Sequence, residues 1–285
     1  MYKLKLGCSL GCFKTEVYED KTYDIIPTFD AVREKLKQMA EFGFYSLELA
    51  PMAGWNYDEE QKYLPKIVEL FDDIKKSGIV LNSIHLPFAL YFWDFSSLNE
   101  ERRKFSVQHA KDVIKMIEDS GNKPNYYVIH HGLRPKCDEE RYPMLDVLAE
   151  ELNELCEFTS ATICIENMTA NGLLNQTSEA LYLLKKVPKL MMVVDLNHMF
   201  IETPEDYLLK IGDRVKCLHV SDRDEVKERH FLPCDGIHDW NKIIGALEKI
   251  GYDGVFTYEI DFGGDKYSIK DVKDNFEKLF AEYNR

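Results

Sequence analysis

The stretch VVDLNHMF, residues 193–200, ends a β-branched apolar run on Asp195 and places His198 three positions further on. In an extended strand such residues point to opposite faces, so both serve one site only where the chain bends after Asp195. Turn chemistry alone accounts for an isolated pair of this kind. The pattern recurs, however: Glu48, His85, His130, Glu166, His219 and Glu259 also close short apolar runs. Among them, Glu166, Asp195, His219 and Glu259 offer three carboxylates and one imidazole. This mostly oxygen set suits Mn²⁺, Mg²⁺ or Co²⁺, with Zn²⁺ the alternative. Carboxylates gathered without a cation repel one another and become partly protonated, so a divalent ion is the simplest way to keep them ionised together. The bland alternative turns one or two of them outward into salt bridges, and for Glu48 that reading and a functional role stand level.

The elements that must position these residues follow from hydrophobic periodicity. Eight apolar strand candidates (KLKLGCSL, FYSLELAP, IVLNSIHL, NYYVIHHG, TICIENM, LMMVVDLNH, VKCLHVSD and GVFTYEI) alternate with amphipathic stretches. The stretches include TFDAVREKLKQMAEFG, EEQKYLPKIVELFDDIKKSG and NEERRKFSVQHAKDVIKMIEDSG, with stops at Gly43, Gly78, Gly121 and Gly251. Eight strand–helix units over residues 1–285 predict an α/β protein of one domain, a (β/α)8 TIM barrel. A doubly wound sheet is the competing layout, but GCSLGCF after the first strand is no glycine-rich phosphate loop. In a barrel the strand C-termini form one active-site mouth, which gathers the residues named above.

Composition narrows the function classes. A net charge of −14 argues against a nucleic-acid partner, whose affinity needs clustered Lys and Arg. No apolar run reaches membrane-span length, and the lysine-bearing start reads as a strand rather than a secretory signal. The seven cysteines form no CxxC pair, which fits reduced thiols and a cytoplasmic location.

The order IENM, VVDLNHMF, LHVSDRD, RHFLPCDGIHDW and TYEI resembles the xylose-isomerase-like TIM barrel superfamily, over most of the chain from IHLPF to the last strand. That superfamily includes sugar phosphate isomerases and epimerases, inosose dehydratases and endonuclease IV. Similarity to its ketose 3-epimerase branch implies one divalent ion on Glu166, Asp195, His219 and Glu259, with Glu166 and Glu259 as the acid–base pair and His198 on the substrate. The chemistry is proton transfer next to a carbonyl through a metal-stabilised enediolate. His230 stands where those epimerases carry an arginine, a departure that bears on substrate. Similarity to endonuclease IV implies instead a trinuclear zinc phosphodiesterase using His85, His130, Glu166, Asp195, His198, His219, Glu228, His230 and Glu259, with Glu228 in place of an aspartate. An inosose dehydratase-like lyase is a third implication, and a barrel that has lost its chemistry a fourth. The acidic charge favours the sugar reading, in which His85 and His130 shape the substrate pocket.

Loop residues complete the expectations. Trp55 after the second strand, and Tyr91, Phe92 and Trp93 after the third, place aromatic rings where barrel loops cover a pocket, suiting a sugar's C–H faces or packing on one another. Trp240 is expected under a helix start. Gly263, Gly264 and Lys266 could cradle a phosphate, but Asp261 and Asp265 beside them favour a neutral sugar, polyol or inosose. A homo-oligomer is compatible with this class.

Overall fold

The computed structural model describes residues 1–11, 13–17, 23–27, 29–50, 57–88, 92–169, 171–262 and 266–285, with backbone alone at 13–17, 23–27, 59, 62 and 63. Strand β1 (Lys5–Gly11) is followed by an antiparallel hairpin of β2 (Phe13–Val17) and β3 (Tyr23–Pro27). The remaining strands are β4 (Ser46–Ala50), β5 (Val80–His85), β6 (Tyr126–Ile129), β7 (Thr162–Glu166), β8 (Met191–Asp195), β9 (Val215–His219) and β10 (Val255–Tyr258). All eight apart from the hairpin pair in parallel, in the order β10-β1-β4-β5-β6-β7-β8-β9. The ring closes between β9 and β10 through Val220, whose N–H bonds the Thr257 carbonyl at 2.8 Å and whose carbonyl accepts from the Glu259 N–H at 3.1 Å. The expected (β/α)8 barrel is therefore the observed one. The hairpin is an addition that the apolar pattern did not announce.

Helices α1 (Phe29–Glu41), α2 (Tyr57–Tyr63), α3 (Val68–Ser77), α4 (Glu100–Asp119), α5 (Asp138–Phe158), α6 (Thr177–Lys186), α7 (Pro204–Ile211), α8 (Trp240–Lys249) and α9 (Ile269–Tyr283) accompany the ring. Their starts carry the chemistry that orphaned N–H groups require. Asn99 accepts from the Arg102 N–H at 3.0 Å, and Ser268 and Asp271 form a reciprocal capping box on α9. The helix expected over 59–78 is broken by a 3₁₀ turn at Leu64–Ile67, because Pro65 has no N–H to continue the ladder. Gly43, Gly78, Gly121 and Gly251 all take left-handed backbone where a helix stops (φ 70–79°). Among the described residues no helix is long and apolar enough to cross a membrane.

Two apolar layers result. A large one lies between strands and helices, and a small one inside the ring joins Val128, Cys164, Val193 and Cys217. Because side chains alternate along a strand, the next inward positions two residues on are His130, Glu166, Asp195 and His219. The barrel's own period of two thus stacks a polar tier directly above an apolar one. The Asp195–His219 register between β8 and β9 makes those two side chains neighbours.

Candidate metal centre

Glu166 is the hub of the upper tier. It is buried, with Oε2 at 3.3 Å from His85 Nε2, 3.2 Å from His130 Nε2 and 3.3 Å from His219 Nδ1, and Oε1 at 3.3 Å from His198 Nδ1. Burial would raise its carboxyl, but the surrounding imidazoles, His219 and His130 foremost, hold it well below the usual carboxylate range. Glu259, just past the end of β10, is about a quarter exposed and reaches His219 Nδ1 at 3.3 Å. It is the more accessible of the two proposed proton carriers.

Asp195 is fully buried, and one carboxylate oxygen, Oδ1, accepts from the Asn197 N–H at 2.7 Å. The other, Oδ2, lies 3.3 Å from His198 Nδ1 and has no hydrogen-bond partner among the described residues, and neither has either ring nitrogen of fully buried His219. Burial raises the Asp195 carboxyl to about 7, assisted by the charges of Glu259 and Glu166 and opposed by His198. Orphaned buried polar atoms are costly, and here they converge. Glu166, Asp195 and His219 each present a ligand atom within 4.8 Å of the others, as do His85, His130 and Glu166. The donor types and these orphaned atoms fit a divalent cation at the strand ends.

The five remaining histidine and glutamate candidates, His85, His130, His198, Glu228 and His230, sit around this core. His85 donates from Nδ1 to the Leu86 carbonyl at 2.7 Å, which leaves Nε2 facing the cluster. His198 donates from Nδ1 to the Asn167 carbonyl at 2.8 Å and meets Glu228 from Nε2 at 3.4 Å. Burial lowers the basicity of His198, but Asp195 and the glutamates override it and lift the imidazole to about 10. His230 occupies left-handed backbone (φ 48°), donates from Nδ1 to the Glu259 carbonyl at 3.1 Å, and lies 4.0 Å from Glu228. The nine residues of the trinuclear expectation are therefore all brought to one mouth.

Trp93 is a correction. Its ring is 1% exposed, and Nε1 donates to Glu60 on α2 at 2.7 Å while the ring lies against His109 of α4. It is a wedge in the helix layer rather than a substrate wall. Trp55, Tyr91, Gly263, Gly264 and Asp265 lie outside the described residues. Lys266 stacks its ammonium over Phe231 at 3.7 Å and Tyr267 at 4.6 Å. Trp240 does sit buried at the start of α8, with its indole N–H on Asp222.

Two positioning residues escaped the sequence reading. Asn167 follows the strand-end glutamate and bonds β8 with both side-chain atoms, to Asp195 O at 3.0 Å and from Asp195 N at 2.8 Å. Asp222 gathers the loop that carries Glu228 and His230, accepting from the N–H groups of Arg223, Cys234, Ile237 and His238. Gly236 permits that closure, since a Cβ there would fall 2.3 Å from the Arg223 carbonyl and Asp222 Oδ1. An asparagine or aspartate beside a strand-end ligand was the available signal. A cavity of about 690 Å³ opens elsewhere, lined by Tyr57, Phe92, Arg102 and Phe105. None of its lining belongs to the cluster, so donor chemistry, not cavity size, identifies the site.

Fold and site define a (β/α)8 barrel with a buried hard-donor cluster at its strand ends. Residues 36–279 match the xylose isomerase-like TIM barrel family, and the chain belongs to it. Fructoselysine 3-epimerase of Escherichia coli O157:H7 is 27% identical over 122 residues, covering 40% of this chain and 44% of that enzyme, so the match spans under half of its length. An uncharacterised protein of Methanocaldococcus jannaschii is 26% identical over 84% of both chains. Among solved structures, D-psicose 3-epimerase of Clostridium cellulolyticum H10 superposes with a TM-score of 0.70 at 18% identity, covering 99% of this chain and 98% of that one. A 3-keto-D-glucoside 4-epimerase of E. coli gives 0.70 at 16%, covering 98% and 100%. These likenesses are ones of fold.

Proposed function

We propose that the protein is a divalent-metal-dependent sugar isomerase or epimerase that moves a proton at the carbon next to a carbonyl. The observation that carries this reading is the convergence of Glu166, Asp195 and His219, with Asp195 Oδ2 and His219 Nδ1 buried and without a hydrogen-bond partner among the described residues, beside partly exposed Glu259. Glu166, Asp195, His219 and Glu259 would hold the ion. When bound, a divalent ion supplies Lewis-acid polarisation of the sugar carbonyl and offsets the charge of the enediolate. Glu259 takes or returns the carbon-bound proton at the open side, and Glu166 serves the opposite side from beneath. His198, with Nδ1 anchored on the Asn167 carbonyl, presents Nε2 to a substrate hydroxyl. The sugar-epimerase names of the partial relative and of the structural neighbours support this class of substrate.

A neutral sugar or polyol fits better than a nucleic acid. Two arginines of the loop after β9 are committed, Arg229 to Asp224 and Arg223 to the carbonyls of Met199 and Asp224, and the net charge is −14. A second reading rests on the second triad, His85, His130 and Glu166, which makes room for more than one zinc and for phosphodiester hydrolysis. Solvent deuterium exchange separates the two. With Mn²⁺ added, at least one ketose, aldose or inosose is expected to take up label beside its carbonyl. No exchange in any sugar, combined with nicking of an abasic-site duplex and about three zincs per chain, overturns the sugar assignment.

A further inference from the structure

We infer that Glu48 is a positioning residue for the metal-binding histidine, holding the His219 ring so that Nε2 carries the proton and Nδ1 is left for the ion. This rests on the divalent-ion reading above. Glu48 lies on β4, outside the set of four donors, and is 1% exposed. Its Oε1 stands 2.9 Å from His219 Nε2. The carboxylate is fixed from both flanks. Ser9 donates to Oε1 at 2.9 Å and Ser83 to Oε2 at 2.7 Å.

Those serines are not incidental neighbours. Strand register pairs Ser9 with Glu48 across β1 and β4, and Glu48 with Ser83 across β4 and β5, so three adjacent strands put the three side chains in one row. Two hydroxyl donors keep the carboxylate an acceptor that faces His219, and leave it little freedom to swing toward the mouth. On the far side of the ring, Nδ1 lies 3.3 Å from Glu166 Oε2 and from Glu259 Oε2, without a hydrogen-bond partner among the described residues. With Glu166 and Glu259 serving as donors to the ion, Glu48 is the carboxylate left to take a ring proton, on Nε2, which turns the lone pair of Nδ1 toward the ion, the way outer partners orient metal-binding histidines. Serine, glutamate and serine on three successive strands are thus a support for the ninth strand's ligand.

The test uses the full chain with its histidines labelled with ¹⁵N and loaded with diamagnetic Zn²⁺. Long-range proton–nitrogen correlation is expected to show His219 protonated on Nε2 alone, and a proton on Nδ1 overturns the inference. Calorimetric Mn²⁺ titration supplies a second readout. Glu48→Ala is expected to weaken binding by about 10–100-fold, the usual cost of losing such a partner, and Glu48→Gln, which keeps an acceptor oxygen, to recover most of it. Should Glu48→Ala fail to fold, the tautomer in the unmutated chain decides. Unchanged affinity in Glu48→Ala alongside lost affinity in Asp195→Ala overturns the role of Glu48 and leaves the metal centre standing. An unmutated chain that binds neither Mn²⁺ nor Zn²⁺ overturns both.

Discussion

Glu60 and Glu166 are both buried glutamates among histidines, the one 1% and the other 2% exposed. In the helix layer, Glu60 spends both oxygens on permanent partners: Trp93 Nε1 at 2.7 Å and His109 Nε2. That cluster is closed, and it ties α2 to α4 and to the segment before it. Around Glu166 the contacts run to 3.2–3.3 Å, and Asp195 Oδ2 and His219 Nδ1 find no hydrogen bond among the described residues. Burial of charge is common to both regions. What separates a structural cluster from a functional one is whether its polar atoms complete one another or leave a shared vertex for something else.

The contrast breaks most sharply at Asp195. Asp195→Ala is expected to reduce Mn²⁺ affinity by more than about 100-fold, beyond the usual loss of an outer partner, and to abolish isomerisation. Thermal stability without added ion should fall by less than in Glu60→Ala, since of the two carboxylate oxygens only the one on the Asn197 N–H holds a hydrogen bond among the described residues. Ion titration and melting of the same sample check both, and a large loss of ion-free stability would place Asp195 with Glu60 as structural.

Glu60→Ala should behave in reverse. Removing one partner of a buried pair costs about 3–5 kcal/mol and leaves His109 and Trp93 unsatisfied. Denaturant unfolding should show that loss while the metal content per chain stays at its unmutated value. Metal lost from folded Glu60→Ala protein would show that the two regions are coupled.

His131 gives the smallest effect and sharpens the comparison within one dipeptide. Next to His130 at the mouth, His131 is buried, accepts from the Leu173 N–H at 3.1 Å, and contacts Ser96. Burial, reinforced by the His130, Arg141 and Arg134 charges, pushes its imidazole down to about 3 from 6.5. The folded chain therefore keeps His131 neutral where the unfolded chain binds a proton. Its contribution is whole above about pH 6.5 and shrinks as pH falls toward 3. Stability should drop by roughly 2 kcal/mol from this group between about pH 8 and about pH 5. In His131→Gln that part of the pH dependence should vanish, as read from denaturant midpoints; an unaltered slope would assign it elsewhere.

The barrel and its polar tier were legible because they rest on repetition. Eight apolar runs, seven of them ending on ionisable residues, survive the loss of any one signal, and the alternation through Cys164 and Glu166, or Cys217 and His219, sets the inward face. Asp195 and His198 do share one site, which requires the bend expected after Asp195. Trp93 was misread because a loop aromatic has the same sequence signature whether it turns toward the mouth or toward the helices; its indole N–H on Glu60 decides, and that partner is 33 residues away. Asn167 and Asp222 were missed because their work is hydrogen bonding to backbone that only the folded loops bring near. Glu48 left two readings level in the sequence. Its register with Ser9 and Ser83 is a property of three strands, invisible in any one.

The closure at Val220 has a kinetic consequence. His219 stands one residue before the seam, and the Glu259 N–H is one of the bonds that joins it. Whatever order the strands assemble in, the four donors meet only when both sides of this seam meet. An ion held by all four would draw its full free energy only from the closed ring, because Glu166, Asp195 and His219 stand on adjacent strands and Glu259 alone lies across the seam. Such an ion would act more as a clasp than as a nucleus, slowing the opening of the barrel more than it speeds its closing.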